Sequence, residues 1–260
     1  MKKFFSLSLL AALSLFQACQ PAAETSPTQG LSVQKLVVAL KPDKNPDKML
    51  QEKQNLEAFL SKELSLPVEV IIPLSGAVIQ EGLANGSIDL AYLSATDMVK
   101  ARNQGSADIL MVGEIDGKTG YPSYWISLKE KPYASVEDLK GKAIAFSSKT
   151  STSGFLIPYT DMIKKGLLKP QEDPEAYFGQ GQVFYGTGYV SAVEQVLNKN
   201  AEAAAVSYYV LDLDKHLTPE QRAQLKVVAQ QGPVPTHTIA VRTALSPSDR
   251  GILLQALEKM

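Results

Sequence analysis

Six of the seven residues from Ser147 to Ser153 carry a side-chain hydroxyl, and Gly154 follows them. The run joins an apolar stretch, Lys142 to Phe146 (KAIAF), to a segment with helical spacing, Gly154 to Lys165. Hydroxyls at a helix start, just past the carboxyl end of a strand, suit anion binding. The first amides of a helix lack an internal partner, and that end is partially positive. Open α/β sheets also bind their ligands at this edge. Gly154 leaves room for close backbone approach. Two further junctions share the layout: VEVIIPL leads to Ser75, and IDLAYL leads to Ser94. N-capping alone accounts for either of these serines, because Ser is a preferred cap. One helix needs one cap, whereas KTSTSG offers several, so the 147–154 loop reads as an oxyanion cradle. Lys41 and Lys44 follow the first strand, and they are expected to be solvated surface lysines more than anion guides.

The elements that must position these groups alternate. Short apolar strands are expected at Lys35 to Leu40, Val68 to Ile72 and Ile88 to Leu93. Between them lie an amphipathic helix opened by Asn45-Pro46-Asp47 and a helix from Ser75 to Asn85 stopped by Gly86. The pattern restarts after Tyr121-Pro122-Ser123. Strands follow at Trp125 to Leu128, Lys142 to Phe146, Val183 to Tyr185 and Ala203 to Val206, with helices between them. Extended segments at Lys226 to Ala229 and Thr238 to Arg242 precede a helix from Pro247. Strands alternating with helices imply βαβ units and a mainly parallel sheet in each of two α/β halves.

Composition narrows the function classes. The 26 basic and 27 acidic side chains leave a net charge of −1, which argues against a nucleic-acid binder held by a basic face. One Cys cannot form an internal disulfide, and two His with one Cys cannot build a structural zinc site. The start of the chain reads as an address. Lys2 and Lys3 precede an apolar stretch from Phe4 to Phe16, the layout of a signal peptide over residues 1–18. Leu15-Phe16-Gln17-Ala18-Cys19 looks like a bacterial lipobox, with Cys19 as the lipidated residue. A plain cleavage site would need a small residue where Phe16 stands. Residues 19–32, rich in Pro, Thr, Ser and Gln, read as a flexible tether from the membrane. No later segment is long and apolar enough to span a bilayer.

Thr150-Ser151-Thr152-Ser153-Gly154-Phe155-Leu156-Ile157-Pro158 resembles the signature of the phosphate/phosphite/phosphonate ABC-transporter substrate-binding proteins. LVVALKPDKNP, GSIDLAYLSAT, GTGYVSAVEQVLN and VPTHTIAVR support it, so the similarity runs from Leu36 to about Arg242. The resemblance implies a two-lobe, type II periplasmic-binding-protein-like α/β fold with its ligand in the cleft between lobes. Residues 33–120 and 229–260 would form lobe 1, and 121–228 lobe 2. It implies that Ser151, Thr152 and Ser153 grip the phosphoryl oxygens. It places further contacts at Ser75 and at Tyr92 or Ser94, where a relative's Tyr falls on Leu93. It places Tyr189 where many relatives have His. Tyr209 and His237 stand where relatives that bind aminoalkyl phosphonates carry acidic residues. A buried ammonium without a carboxylate is strongly unfavourable, so the sequence predicts rejection of 2-aminoethylphosphonate. The expected ligand is compact: phosphate, phosphite or methylphosphonate.

The resemblance implies a monomer with no cofactor and no catalysis, delivering its ligand to an ABC permease and its ATPase. Two other function classes are alternatives. A sensory binding protein of a signalling system would use the same fold. An enzyme would need catalytic groups, and the chain has no HExxH, no Walker loop and no nucleophile elbow with a His partner. His216 falls in a charged stretch expected to be exposed. Relatives also carry a helical tail beyond the position of Met260, so 260 residues are expected to describe a shortened protein with some apolar surface uncovered.

Overall fold

The computed structural model describes residues 30–41, 46–213 and 216–260. The expected signal peptide, Cys19, most of the expected tether, Lys44 and Asn45 lie outside the described residues. The first lobe comprises β1 (Leu36–Ala39), α1 (Pro46–Leu64), β2 (Val68–Ile71), α2 (Gly76–Asn85), β3 (Leu90–Leu93), α3 (Ala95–Asn103) and β4 (Ala107–Val112). The second lobe begins with β5 (Gly120–Leu128), a 3-10 turn at Glu137–Leu139 and β6 (Ile144–Phe146). A π-helical turn at Thr152–Leu156 leads into α4 (Ile157–Lys164) and α5 (Glu175–Phe178). Next come β7 (Val183–Tyr185), α6 (Tyr189–Leu197), β8 (Ala203–Ser207), α7 (Tyr209–Asp212), α8 (Pro219–Ala223) and β9 (Leu225–Pro235). The chain then returns to the first lobe for β10 (Thr238–Arg242) and α9 (Pro247–Leu257).

The two sheets repeat one plan. Their orders are β2-β1-β3-β10-β4 and β7-β6-β8-β5-β9. In each, one strand runs against the other four: β10 is antiparallel to β3 and β4, and β5 to β8 and β9. Because the reversed strand is interior, antiparallel pairings occur beside the parallel ones. This is the two-lobe type II fold that the sequence implied. Side chains alternate between faces, as strands require. Trp125 packs with Ile144, Phe146, Met162 and Phe178 on one face, while Tyr124 and Ile126 pack with Val193 and Val196 of α6 on the other. Burying a large apolar side chain such as Trp125 stabilises the fold by about 2–3 kcal/mol. In the first lobe, Ala39, Ala91 and Leu93 meet α2, while Val38 and Leu90 meet Leu60 of α1 and Leu253 of α9.

Both crossings between lobes are single extended connections, β4 to β5 and β9 to β10. The return comes later than the expected 228/229 boundary. β9 pairs with β5 from Leu225 opposite Leu128 to Pro235 opposite Gly120, so residues 229–235 belong to the second sheet. Thr236 ties the crossings together. Its hydroxyl lies 2.5 Å from the Gly113 carbonyl oxygen, and its amide donates to the Thr119 carbonyl at 3.1 Å. The Gly113 amide in turn donates to the His237 carbonyl at 2.8 Å. Among the described residues, no helix is long and apolar enough to cross a membrane.

Candidate functional site

A cleft of about 690 Å³ opens between the lobes, bounded by strand ends and helix starts from both sheets. Its second-lobe wall is the hydroxyl loop. Ser151, in extended conformation, caps the helix start by accepting from the Gly154 amide at 3.0 Å. The Leu156 amide reaches back five residues to the Ser151 carbonyl at 3.0 Å. That wide π turn leaves more leading amides without an internal partner than an α turn would. The turn ends where Pro158, at the start of α4, suits a helix opening.

The hydroxyls divide their work. Ser147, Ser148, Thr150, Ser151 and Thr152 line the cleft. Ser147 is buried and donates to the Ala205 carbonyl at 2.8 Å, which anchors the loop to β8. Ser153 is fully buried behind the wall, with its hydroxyl 2.6 Å from that of Tyr189. Its carbonyl accepts from Ser123 at 2.6 Å, and Ser123 accepts from Gln231 at 2.7 Å. The structure therefore places Tyr189, and not the Ser153 hydroxyl, on the cleft surface. Gly154 serves a different purpose from the one expected. A Cβ there would lie 2.2 Å from the Ser147 hydroxyl, so the glycine makes room for Ser147.

The first-lobe wall carries Leu40, Lys41, Tyr92 and Ser94. Ser94 lines the cleft and caps α3: it accepts from the Asp97 amide at 3.2 Å and donates to the Asp97 carboxylate at 2.6 Å. Ser75 occupies the N-cap position of α2 without a side-chain cap bond, is exposed, and is not brought to the cleft wall. Lys41 keeps its side chain 39% exposed, as expected of a solvated lysine, and is also part of the cleft wall. It pairs with Asp97 at 3.3 Å. Glu52 of α1 also lines the cleft, so a carboxylate is present where the Tyr209 and His237 positions supply none.

Aromatic rings close the remaining sides. Tyr92 stacks on His237 with centroids 4.9 Å apart and planes within 8°. Tyr209 meets Tyr189 edge-to-face at 5.3 Å and lies 5.1 Å from His216. Tyr209 also packs against the hydrophobic core, so it is both core aromatic and cleft wall. His216 does not sit in an exposed stretch as the sequence suggests: it lines the cleft, with its ring packed against that of Tyr209. Tyr121 and Tyr208 complete the wall, and burial pushes the Tyr121 phenol well above its ordinary range. The site is thus built from neutral donors, helix starts, imidazoles, one lysine and the Glu52 carboxylate. It can hold an oxyanion by hydrogen bonds with little net charge.

The model of the phosphonate-binding family, periplasmic substrate-binding proteins of ABC transporters, matches residues 38–260. The chain belongs to that family. Its members are the extracytoplasmic binding components of ABC transporters, which pair them with a permease and its ATPase. The phosphate-import protein PhnD of Mycolicibacterium smegmatis is 26% identical over 221 residues, covering 82% of this chain and 67% of that protein. Among solved structures, XAC2383 from Xanthomonas citri bound to ATP superposes with a TM-score of 0.72 at 19% identity, covering 87% of this chain and 83% of that one. PhnD1 from Prochlorococcus marinus in complex with methylphosphonate gives a TM-score of 0.71 at 20% identity, with 87% and 83% covered. At these identities the structures establish the shared fold.

Proposed function

We propose that this phosphonate-binding family member is the receptor of an ABC importer for a small phosphorus oxyanion: a phosphonate, phosphite or phosphate. The observation that carries the reading is the hydroxyl loop on the cleft wall, where Ser151 and Thr152 line the cleft at the start of the π turn Thr152–Leu156. The names of two relatives agree with it, one importing phosphate and one holding methylphosphonate. Closure of the lobes about the Thr236 crossing would exclude water from the oxyanion and strengthen each hydrogen bond to it. Calorimetric titration with phosphate, phosphite and methylphosphonate tests the reading. At least one should bind with a Kd in the micromolar range or tighter, about −8 kcal/mol or better. No saturable heat from any of the three would reject it.

The receptor is held at the membrane by a lipid on Cys19, a reading that rests on the lipobox-like residues Leu15 to Cys19. Cell fractionation of Cys19→Ser should show the protein leaving the membrane pellet for the soluble fraction. Unchanged membrane association in that variant would remove the anchor from the proposal.

A further inference from the structure

Thr96 and Thr152 sit on opposite lobes, 56 positions apart in sequence, yet their hydroxyl oxygens are 2.7 Å from each other. Thr152 lines the cleft and Thr96 stands behind it, in the first turn of α3. We infer that Thr96 is a positioning residue for the oxyanion, acting through Thr152 from the opposite lobe.

A hydroxyl has one proton and two acceptor sites. In a hydroxyl pair one partner donates to the other, and one proton is left over. When an anion occupies the cleft, the favoured arrangement has Thr96 donating to Thr152 and Thr152 donating to the anion. Each bond in such a chain polarises the next, and the last one is charge-assisted. An oxyanion therefore selects the direction of the pair and strengthens a bond between lobes. Thr96 can hold this station because its backbone is fixed on several sides. Ser94 caps the helix at the Asp97 amide, the Met98 amide donates to the Ser94 carbonyl at 2.8 Å, and Gln80 of α2 donates to the Asp97 carbonyl at 2.8 Å. The same bond links occupancy of the cleft to its closed arrangement.

This inference rests on the oxyanion reading of the cleft, and the experiment separates the two. Methylphosphonate, phosphite and phosphate are titrated into wild type, Thr96→Val, Thr96→Ser, Thr152→Val and the Thr96→Val/Thr152→Val double variant. Thr96→Val keeps the shape and removes the hydroxyl, and it should weaken binding about 5- to 10-fold. Thr96→Ser should stay within about twofold of wild type. In the Thr152→Val background, adding Thr96→Val should change affinity little, because the route to the ligand is already gone. A purely structural Thr96 would add its loss to that of Thr152→Val. Wild-type affinity in Thr96→Val, failure of Thr96→Ser to restore binding, or additive losses would each overturn the inference while leaving the oxyanion receptor standing. Absence of binding by the wild-type protein would overturn both.

Discussion

Gly154→Ala is expected to abolish measurable oxyanion binding and to lower the melting temperature by on the order of 10 °C. The new Cβ would lie 2.2 Å from the Ser147 hydroxyl oxygen, 2.5 Å from the Ser147 Cβ and 2.9 Å from the Ser151 hydroxyl oxygen. Real Cβ atoms do not sit that close, so Ser147 must move. It has nowhere near to go: its hydroxyl is bonded to the Ala205 carbonyl, and its amide donates to the Gly154 carbonyl at 3.1 Å. Overpacking a close-packed site costs about 1–3 kcal/mol. Stranding the buried Ala205 carbonyl adds about 1–3 kcal/mol. For a chain of this size each kcal/mol corresponds to roughly 2–4 °C. The binding loss follows from the same movement, because Ser151 and Thr152 ride on the loop that Ser147 anchors. Calorimetry and thermal melts read the two effects. The double variant Ser147→Gly/Gly154→Ala removes the two closest clashes and should recover part of the melting temperature. A Gly154→Ala protein that binds like wild type would show that the loop does not hold the ligand.

Asp89→Ala should cost about 3 kcal/mol of stability while leaving ligand affinity of the folded protein near wild type. Asp89 is buried at the start of the IDLAYL run, at the far end of β3 from Ser94. One carboxylate oxygen accepts from Arg242 Nε at 2.6 Å and the other from the Val37 amide at 2.8 Å. The side chain thus joins β1, β3 and β10. Truncation leaves a buried amide and a guanidinium unmatched, which costs more than the pair contributes as a net interaction. Arg242 is partly exposed, and water reaching it places the loss at the lower end of the 3–5 kcal/mol typical of broken buried pairs. Asp89→Asn, which keeps an acceptor for Val37, should lose less. Urea melts measure both, and a loss below about 1 kcal/mol in Asp89→Ala would contradict the account.

Much of this architecture was legible in the residues. The βαβ rhythm follows from short apolar runs such as LVVA and IAF between helices, and the hydroxyl excess at 147–153 falls on a loop that lines the cleft. What stayed hidden has physical reasons. β4, Ala107–Val112, went unread because it is a sheet-edge strand whose short apolar run has no clear period, and such runs fit helix or strand alike. His216 and Lys41 look like surface residues locally; only the fold turns them into the cleft. Ser153 shows the opposite limit: its type and place suit a ligand contact, while its side chain is buried with its hydroxyl 2.6 Å from that of Tyr189. The hydroxyl run told which loop would line the cleft, and not which of its oxygens reach the cleft surface.

The strand orders carry a consequence for how the protein is made. Every strand of the second sheet, β5 to β9, lies in one continuous stretch from Gly120 to Pro235. The first sheet has no such luxury, because its interior strand β10 comes from Thr238–Arg242, near the end of the chain. Until those residues are synthesised, β3 and β4 have an empty lane between them, and Asp89 waits without Arg242. The second lobe therefore has all its strands before the first does, and the first stays open until β10 follows, since a lobe folds as a unit. The order of assembly is thus written in the topology: the strand that completes the first sheet is made only after the whole of the second.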